Sequence, residues 1–504
     1  MDISRKLIKG SIVRIANFIL QAVVAFFMMP FIVHSLGDRM YGFWVLIATF
    51  IGYYGLLDLG LSSATQRHIS RAIGKNDVKE MNEVVNTTLF LFLRIGLIAL
   101  FISIIASIFC IYFIKNPEEI SLFRKIIVLL GFGIAVGFPM RVFVGILDSN
   151  LRYDLSSYAS IAKTIIGNAF IYYYLKNGYG ILALALITFF INLLEYSLVI
   201  LFSKLSIPQF KISYSLYRKE ILKPLFKYSG NTFIAQLGDI LRFRVSSFVI
   251  ATFLNVSLVT YYSVGSRLIE YFTQFITSSL GIMLPVFSQY ESIGDFDNIR
   301  KKFLDVTKIS VIISVFIGTS IFYYGEYFIQ RWMGPGFESS YYVAVILCLP
   351  YIIALMQNPS IGLLYGISKN NYLAIANTSE GVINLVLSLI LVRYYGIYGI
   401  ALGNAIAMLI FKLLIQPFYV CRIIKLSVKK YYFNTLFITT IKTVAPLLIY
   451  FYIIKDFIKA DYTIILISVS IQILLSIPII YLFVLNEKER RFIKGSFGFV
   501  YGKN

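Results

Sequence analysis

The sequence predicts an all-α polytopic membrane protein of about 14 transmembrane helices: two six-helix lobes related by a pseudo-two-fold axis along the membrane normal, plus two helices at the carboxyl end. Three observations carry that prediction. The first is composition. Of the residues, 58% are hydrophobic and 14% charged, with a mean hydropathy of +0.79, whereas soluble globular domains carry roughly 25% charged residues. The second is a series of charge-free runs, such as 15–37, 245–266, 271–290 and 462–486. Each meets the ~20 residues that a helix needs to cross a hydrocarbon core ~30 Å thick. They lack the polar–apolar alternation of barrel strands, so helices are the expected form. The third is repetition: the first dozen apolar segments fall into two halves offset by about 220 residues.

Taken in order, the spans are expected at residues 11–34, 41–62, 85–114, 123–147, 155–175, 180–202, 225–253, 257–288, 303–328, 341–366, 372–392, 398–420, 435–454 and 462–485. The first run is too long for a signal-peptide core and no small-residue cleavage site follows it, so the amino terminus is expected to be retained. The repeat is visible in the letters. Leu59-Gly60, Ile73-Gly74 and Asp77 recur as Leu280-Gly281, Ile293-Gly294 and Asp297, and Tyr179-Gly180-Ile181 recurs as Tyr398-Gly399-Ile400. Leu7 and Lys9 match Leu225 and Lys227, and Tyr153 matches Tyr372. The offset holds an even number of spans, so both halves enter the membrane the same way up. The expected organisation is an amino-terminal lobe, 1–213, a carboxyl-terminal lobe, 214–430, and two extra helices with a tail, 431–504. A substrate would lie between the lobes.

The formal charge is +21, but its placement argues against nucleic acid. Alternate loops carry 26 basic residues, among them Arg67, Arg71, Lys75, Lys211, Arg218 and Lys429. The opposite loops carry seven: Arg39, Lys115, Lys176, Arg331, Arg393, Lys455 and Lys459. Such asymmetry puts both termini in the cytoplasm, with anionic headgroups as a sufficient partner for the basic loops.

Several chemistries find no support. Cys110, Cys348 and Cys421 stand singly in apolar context and read as small core residues. His34 and His68 have no companions at metal-ligand spacing. No GxxxxGK[ST] phosphate loop occurs, and no long polar stretch leaves room for a catalytic domain. An enzyme is therefore not expected, no cofactor is implied, and transport would draw on gradients, on membrane potential or on the substrate's own imbalance.

Polar residues inside spans cost ~2.5–3.5 kcal/mol per charge on insertion scales, so each is a functional hypothesis. Arg14, Lys308 and Lys442 lie within about two turns of a span end, from where a long side chain snorkels out. Arg14 nonetheless shares a helix face with Asn17 and Gln21. Arg242, Arg267 and Glu270 lie ten or more residues from either end of their expected helices, roughly 15 Å deep. Asp239 pairs with Arg242 at i, i+3, and Arg267 with Glu270, Gln274 extending the second stripe. Two readings stay open. The pairs neutralise each other and lock helices seven and eight, or they form a basic patch on a cavity with carboxylates setting charge and gating. Arg94, Arg141 and Lys163 supply intramembrane cations from the other half, and arginine forks match phosphate oxygens. Polar stripes also occur at Asn377, Glu380 and Asn384 and at Asn192 and Glu195, suited either to interhelical bonding or to sugar hydroxyls.

The opening of the chain resembles a known family. The segment LGDRMYGFWVLIATFIGYYGLLDLGLSSATQRHIS at 36–70, followed by IGKND at 73–77, is similar to the Wzx-type oligosaccharide flippases of the MOP (MATE-like) exporter superfamily. The duplicated six-helix halves with two extra helices match as well, so the resemblance covers essentially the whole chain. It implies movement of an undecaprenyl-diphosphate-linked O-antigen or capsule repeat unit to the outer leaflet of the bacterial inner membrane, by alternating access. It also implies a cation-lined lumen, met here by Arg94, Arg141, Lys163, Arg242 and Arg267. Helices one, two, seven and eight would be lateral gates. On the reading of the residues themselves, Asp239, Glu270 and Glu380 are the candidates for gating or ion coupling. A lipid-linked oligosaccharide and the phospholipid bilayer are the implied partners, with a polysaccharide polymerase and glycosyltransferases as protein partners. The intramembrane acids depart from this pattern, since closed pairs would leave less positive charge for a substrate. A flippase for another lipid-linked precursor, a multidrug exporter of the same superfamily and a membrane-embedded glycosyltransferase or polymerase remain alternatives.

Overall fold

The computed structural model describes residues 3–112, 116–280, 283–367, 369, 371–484, 487 and 490. Lys115, Gly281, Lys488, Arg491, Lys494 and Lys503 lie outside the described residues, as do the side chains of Arg5, Lys6, Leu7 and Lys227. Every regular element among the described residues is helical. The helices are α1 Ile3–Tyr53, α2 Leu61–Gly74, α3 Val78–Phe109, α4 Pro117–Ser149, α5 Tyr153–Lys176, α6 Ile181–Ser206, α7 Leu222–Phe243, α8 Val245–Phe253 and α9 Val256–Leu280. There follow α10 Met283–Ser292, α11 Phe296–Met333, α12 Glu338–Met356, α13 Asn358–Gly366, α14 Asn371–Leu409, α15 Gln416–Ile423, α16 Ile438–Ile454 and α17 Tyr462–Ile479.

Among the described residues nine helical segments are long and apolar enough to cross a membrane. Two of them, Lys9–Asp58 and Asn371–Ile423, run for 50 and 53 residues, about 75 Å at 1.5 Å per residue, more than twice a hydrocarbon core. Each is broken by a left-handed glycine, Gly37 (φ 75°) and Gly396 (φ 57°), where a side chain would be strained. Each therefore holds two of the expected spans. The other expected spans that fall short of this measure are α5, α7–α8 and α9, the helices that carry Lys163, Arg242, Arg244, Arg267 and Glu270.

Expected span 225–253 is α7 and α8, divided at Arg244 (φ −112°, ψ −12°). Expected span 257–288 holds α9 and the start of α10, with residues 281–282 outside the described residues. In the first half a single 3-10 turn, Tyr54–Asp58, and the left-handed pair Leu59 and Gly60 precede α2. In the loops the geometric repeat runs two positions shorter than the letter matches. Asn76 (φ 54°) precedes the cap Asp77, which accepts from the Glu80 N–H at 2.8 Å; Gly294 (φ 70°) precedes the cap Asp295, which accepts from the Asn298 N–H at 3.0 Å. The counterpart of Asp77 is thus Asp295, not Asp297, because the repeat preserves a left-handed residue followed by an N-cap. Gly178 and Gly396, both left-handed, stand at the same offset of 218.

The chain divides into two compact units, 1–260 and 261–504. In the first, α3 packs along α4, α1 along α5, and α6 along both α4 and α5. A side chain at Gly96 would run into the Ala135 carbonyl, so the α3–α4 seam depends on small residues, as is usual between membrane helices. Helix α2 buries Leu61, Ala64, Thr65, Ile69 and Ala72 and exposes Arg67 and Arg71, the pattern of a helix lying at an interface. In the second unit α11 packs on α12, α16 and α17, and α12 on α14. Cys110, Cys348 and Cys421 are all buried.

The segment between α6 and α7 is strapped to α3 by side chains. Asn82 accepts from the Lys211 N–H at 2.7 Å and donates to the Gln209 carbonyl at 3.3 Å. Asn86 accepts from the Ser213 N–H at 2.8 Å and donates to the Lys211 carbonyl at 2.7 Å. Thr87 accepts from the Arg218 N–H at 2.9 Å, and the Arg218 guanidinium donates to Glu83 at 3.1 Å. Two asparagines one helical turn apart thus give an extended chain the donor and acceptor pattern of a neighbouring strand.

Candidate functional site

The first unit gathers charge around one cavity. The 3-10 turn ends at Asp58, whose left-handed neighbour Leu59 turns the chain away and leaves the carboxylate facing α4. Asp58 Oδ1 accepts from Arg141 Nη1 at 2.6 Å and from Ser62 Oγ at 2.5 Å. The Arg141 Cζ also lies 4.5 Å from the centre of the Phe138 ring, one turn earlier on α4, a cation–π contact that stiffens the side chain. On the neighbouring helices Lys163 Nζ of α5 donates to Glu195 Oε2 of α6 at 2.9 Å. Arg141 and Glu195 line a common cavity of ≈ 300 Å³ with Gly137, Phe138, Ser156 and Tyr196. The stripe Arg14, Asn17 and Gln21 belongs to the same α1–α5 seam: Gln21 donates to Asn17 at 3.2 Å and to Ser160 at 3.0 Å, and Arg14 lies over the Tyr153 ring.

Burial within the pair is unequal. The Asp58 side chain is 6% exposed and that of Arg141 36%, so the carboxylate is fixed while the guanidinium reaches the cavity. The bond to Asp58 uses Nη1, and the rest of the fork remains for an oxyanion, with which Arg forms parallel bonds. Chemically the site offers a second anion the open part of a guanidinium anchored on a buried carboxylate, with the hydroxyl-bearing Ser156 and Tyr196 on the same cavity for an uncharged polar group.

The remaining expected residues lie elsewhere. Arg94 is on the exposed side of α3 with Leu93, Leu97 and Ile98, its Cζ 5.6 Å from the Tyr217 ring, and it does not join Arg141 and Lys163. Arg242 was expected far from any helix end; the break at Arg244 puts it in the last turn of α7, where the helix dipole favours a cation. The Asp239 side chain lies outside the described residues. Arg267 Nη1 donates to Glu270 Oε2 at 2.6 Å within α9, both side chains about half exposed. Glu380 is buried 3.7 Å from Lys412.

Two residues escaped sequence reasoning. Arg244 packs its guanidinium against Gly52, where any side chain would overlap it, and its carbonyl accepts from the Tyr53 hydroxyl at 3.1 Å. Lys412 is the one charged residue of span 398–420. The signal for it was the acid-and-amide stripe at Asn377, Glu380 and Asn384, which needs a cation.

A family model for polysaccharide biosynthesis proteins matches residues 36–341. Over 419 residues the chain is 19% identical to a putative O-antigen transporter of Shigella flexneri, covering 82% of this chain and 97% of that protein. It is 25% identical over 414 residues to a probable low-salt glycan biosynthesis flippase, Agl15, of Haloferax volcanii, covering 81% of each. The fold is shared with the lipid II flippase MurJ in an inward closed conformation, with a TM-score of 0.72 at 17% identity over 94% of this chain and 98% of the other. The resemblance read from residues 36–77 is borne out at the level of the family: the chain belongs to the polysaccharide biosynthesis protein family.

Proposed function

We propose that this protein is a flippase that carries undecaprenyl-diphosphate-linked oligosaccharide repeat units, of O-antigen or capsule, from the cytoplasmic to the outer leaflet of the bacterial inner membrane by alternating access. The lobes are those of the sequence repeat, 1–213 and 214–430, followed by the two extra helices of 431–504. The observation that carries this reading is the Arg141 guanidinium, held by Asp58 and open to a cavity that Glu195 and Tyr196 also line. A diphosphate would take the part of the Arg141 fork that Asp58 leaves open, and Lys163 would exchange Glu195 for it. Arg242 and Arg267 are further cations of the path, with Asp239 and Glu270 neutralising or gating them, whereas Arg94 stands apart on the exposed side of α3 and Glu380 is balanced by Lys412. Energetics favour the outward direction. A lipid diphosphate carries about two negative charges, and each gains about 2.3 kcal/mol in crossing an inside-negative potential of 100 mV.

The test is complementation of a strain that lacks this gene, read as surface polysaccharide at matched membrane abundance. Arg141→Ala and Lys163→Ala should abolish display, and Arg141→Lys should leave an intermediate level, because a lysine keeps the charge but not the fork. Full display by Arg141→Ala at normal abundance would remove the site. Reporter fusions at Lys75, Lys211 and Lys429 should read cytoplasm and one at Arg331 periplasm.

A further inference from the structure

The second unit holds a charged cluster in which the lysine is the unexpected member. Lys412 sits in a π-helical turn, Ile410–Ile415, between α14 and α15. Its side chain is 5% exposed and that of Glu380 1%. Three side-chain oxygens converge on its ammonium: Gln416 Oε1 at 3.0 Å, Asn377 Oδ1 at 3.5 Å and Glu380 Oε2 at 3.7 Å. The cage is itself held in place. Gln416 Nε2 donates to the Gln357 carbonyl at 3.3 Å, and Gln357 Oε1 accepts from the Tyr431 hydroxyl at 2.6 Å. Gln357, Gln416 and Tyr431 are all buried. Tyr372 and Tyr419 stack nearby at 3.8 Å, and the packed helices α12 and α13 contribute one charge between them, Glu338 in the first turn of α12.

A carboxylate and two amide oxygens are the donors that hard monovalent and divalent cations use. Stability does not explain their presence around a lysine, since well-packed apolar residues serve a helix bundle as well as or better than a buried ion pair. A π turn is also concentrated at functional positions, because its extra residue re-aims a side chain at the cost of regular packing. We propose that the second unit carries an intramembrane site for a small monovalent cation whose occupant is the chain's own Lys412 ammonium. This unit then needs no dissolved cation to balance Glu380. The inference goes beyond the flippase reading and stands independently of the glycan carried.

The test is heat stability of the full-length protein in detergent, in equal concentrations of sodium, ammonium or choline chloride. Wild type should melt at the same temperature in all three. Lys412→Ala should melt lower in choline and regain about 2–4 °C in sodium or ammonium, as a bound ion adds stability by mass action. Lys412→Met, which fills the space without charge, should regain nothing. Stabilisation of wild type by sodium, one melting temperature for Lys412→Ala in all three salts, or an equal gain in Lys412→Met would each overturn the proposal. If Lys412→Ala does not accumulate, the double variant with Glu380→Gln decides. Restored accumulation supports the proposal, since the acid that needed a cation is gone; continued loss overturns it.

Discussion

Arg141 and Asp58 lie 83 positions apart in sequence and 2.6 Å apart in the fold, with the acid closed off and the base open to a cavity. That asymmetry separates the effects of removing either partner. Arg141→Ala leaves a buried carboxylate without its cation and should cost about 3 kcal/mol, the lower end for a broken buried pair because the guanidinium is partly exposed. Asp58→Asn should cost less, since the freed guanidinium can turn into the cavity. The melting temperature in detergent checks both, and the double variant should recover most of the loss. Equal losses in the two single variants would mean that the pair is buried evenly.

Asn86 is fully buried and satisfies two backbone groups of the segment between α6 and α7, the Lys211 carbonyl and the Ser213 N–H. Asn86→Ala leaves both without a partner, at about 1–3 kcal/mol each. The segment should detach before the helices melt. Limited trypsin digestion reads this directly: wild type should resist, and the variant should be cut at Lys211 and Arg218 into two halves. Identical digestion of the two proteins would show that other contacts hold the segment.

Asp154, the second residue of α5, has two cationic partners, Arg152 at 3.0 Å and Lys9 at 3.4 Å. Burial opposes its ionisation, but the bonds and charges of Arg152 and Lys9 outweigh burial and hold the carboxyl below its ordinary value. A depressed carboxyl stabilises the fold above the unfolded value, about 3.9, and loses that contribution as pH falls through the lower folded value. Acidification below about pH 4 should therefore loosen the α1–α5 contact. Asp154→Asn should melt lower at neutral pH and show a smaller further loss on acidification, as measured by melting temperature against pH. A parallel pH profile in the two proteins would exclude Asp154 as the source.

The membrane class and most helices were legible because lipid acts as solvent on every exposed position, so hydropathy alone marks the spans. What misled the letters was the loop: Asp77 and Asp297 match in spelling, but Asp295 does the capping, since a turn conserves a dihedral angle and a donor rather than a residue name. The Arg267–Glu270 pair was legible because i, i+3 spacing fixes a helix face. The partners of Arg141 and Lys163 were not, because Asp58 and Glu195 come from other helices and no local spacing encodes that approach. Arg242 was placed too far from a helix end because nothing in a run of apolar residues announces the break at Arg244.

The asparagine strap on α3 also orders events in time. Asn82 and Asn86 meet carbonyls 127 and 125 positions further along the chain. At about 5–20 residues per second of synthesis, those partners emerge about 6–25 s after the asparagines. Until then two amides destined for burial stay hydrated, and the edge of α3 that carries them is held by nothing from this segment. The lock closes only once the whole of α6 has been made, so a nascent chain that stalls earlier is left with an open, wettable edge on α3.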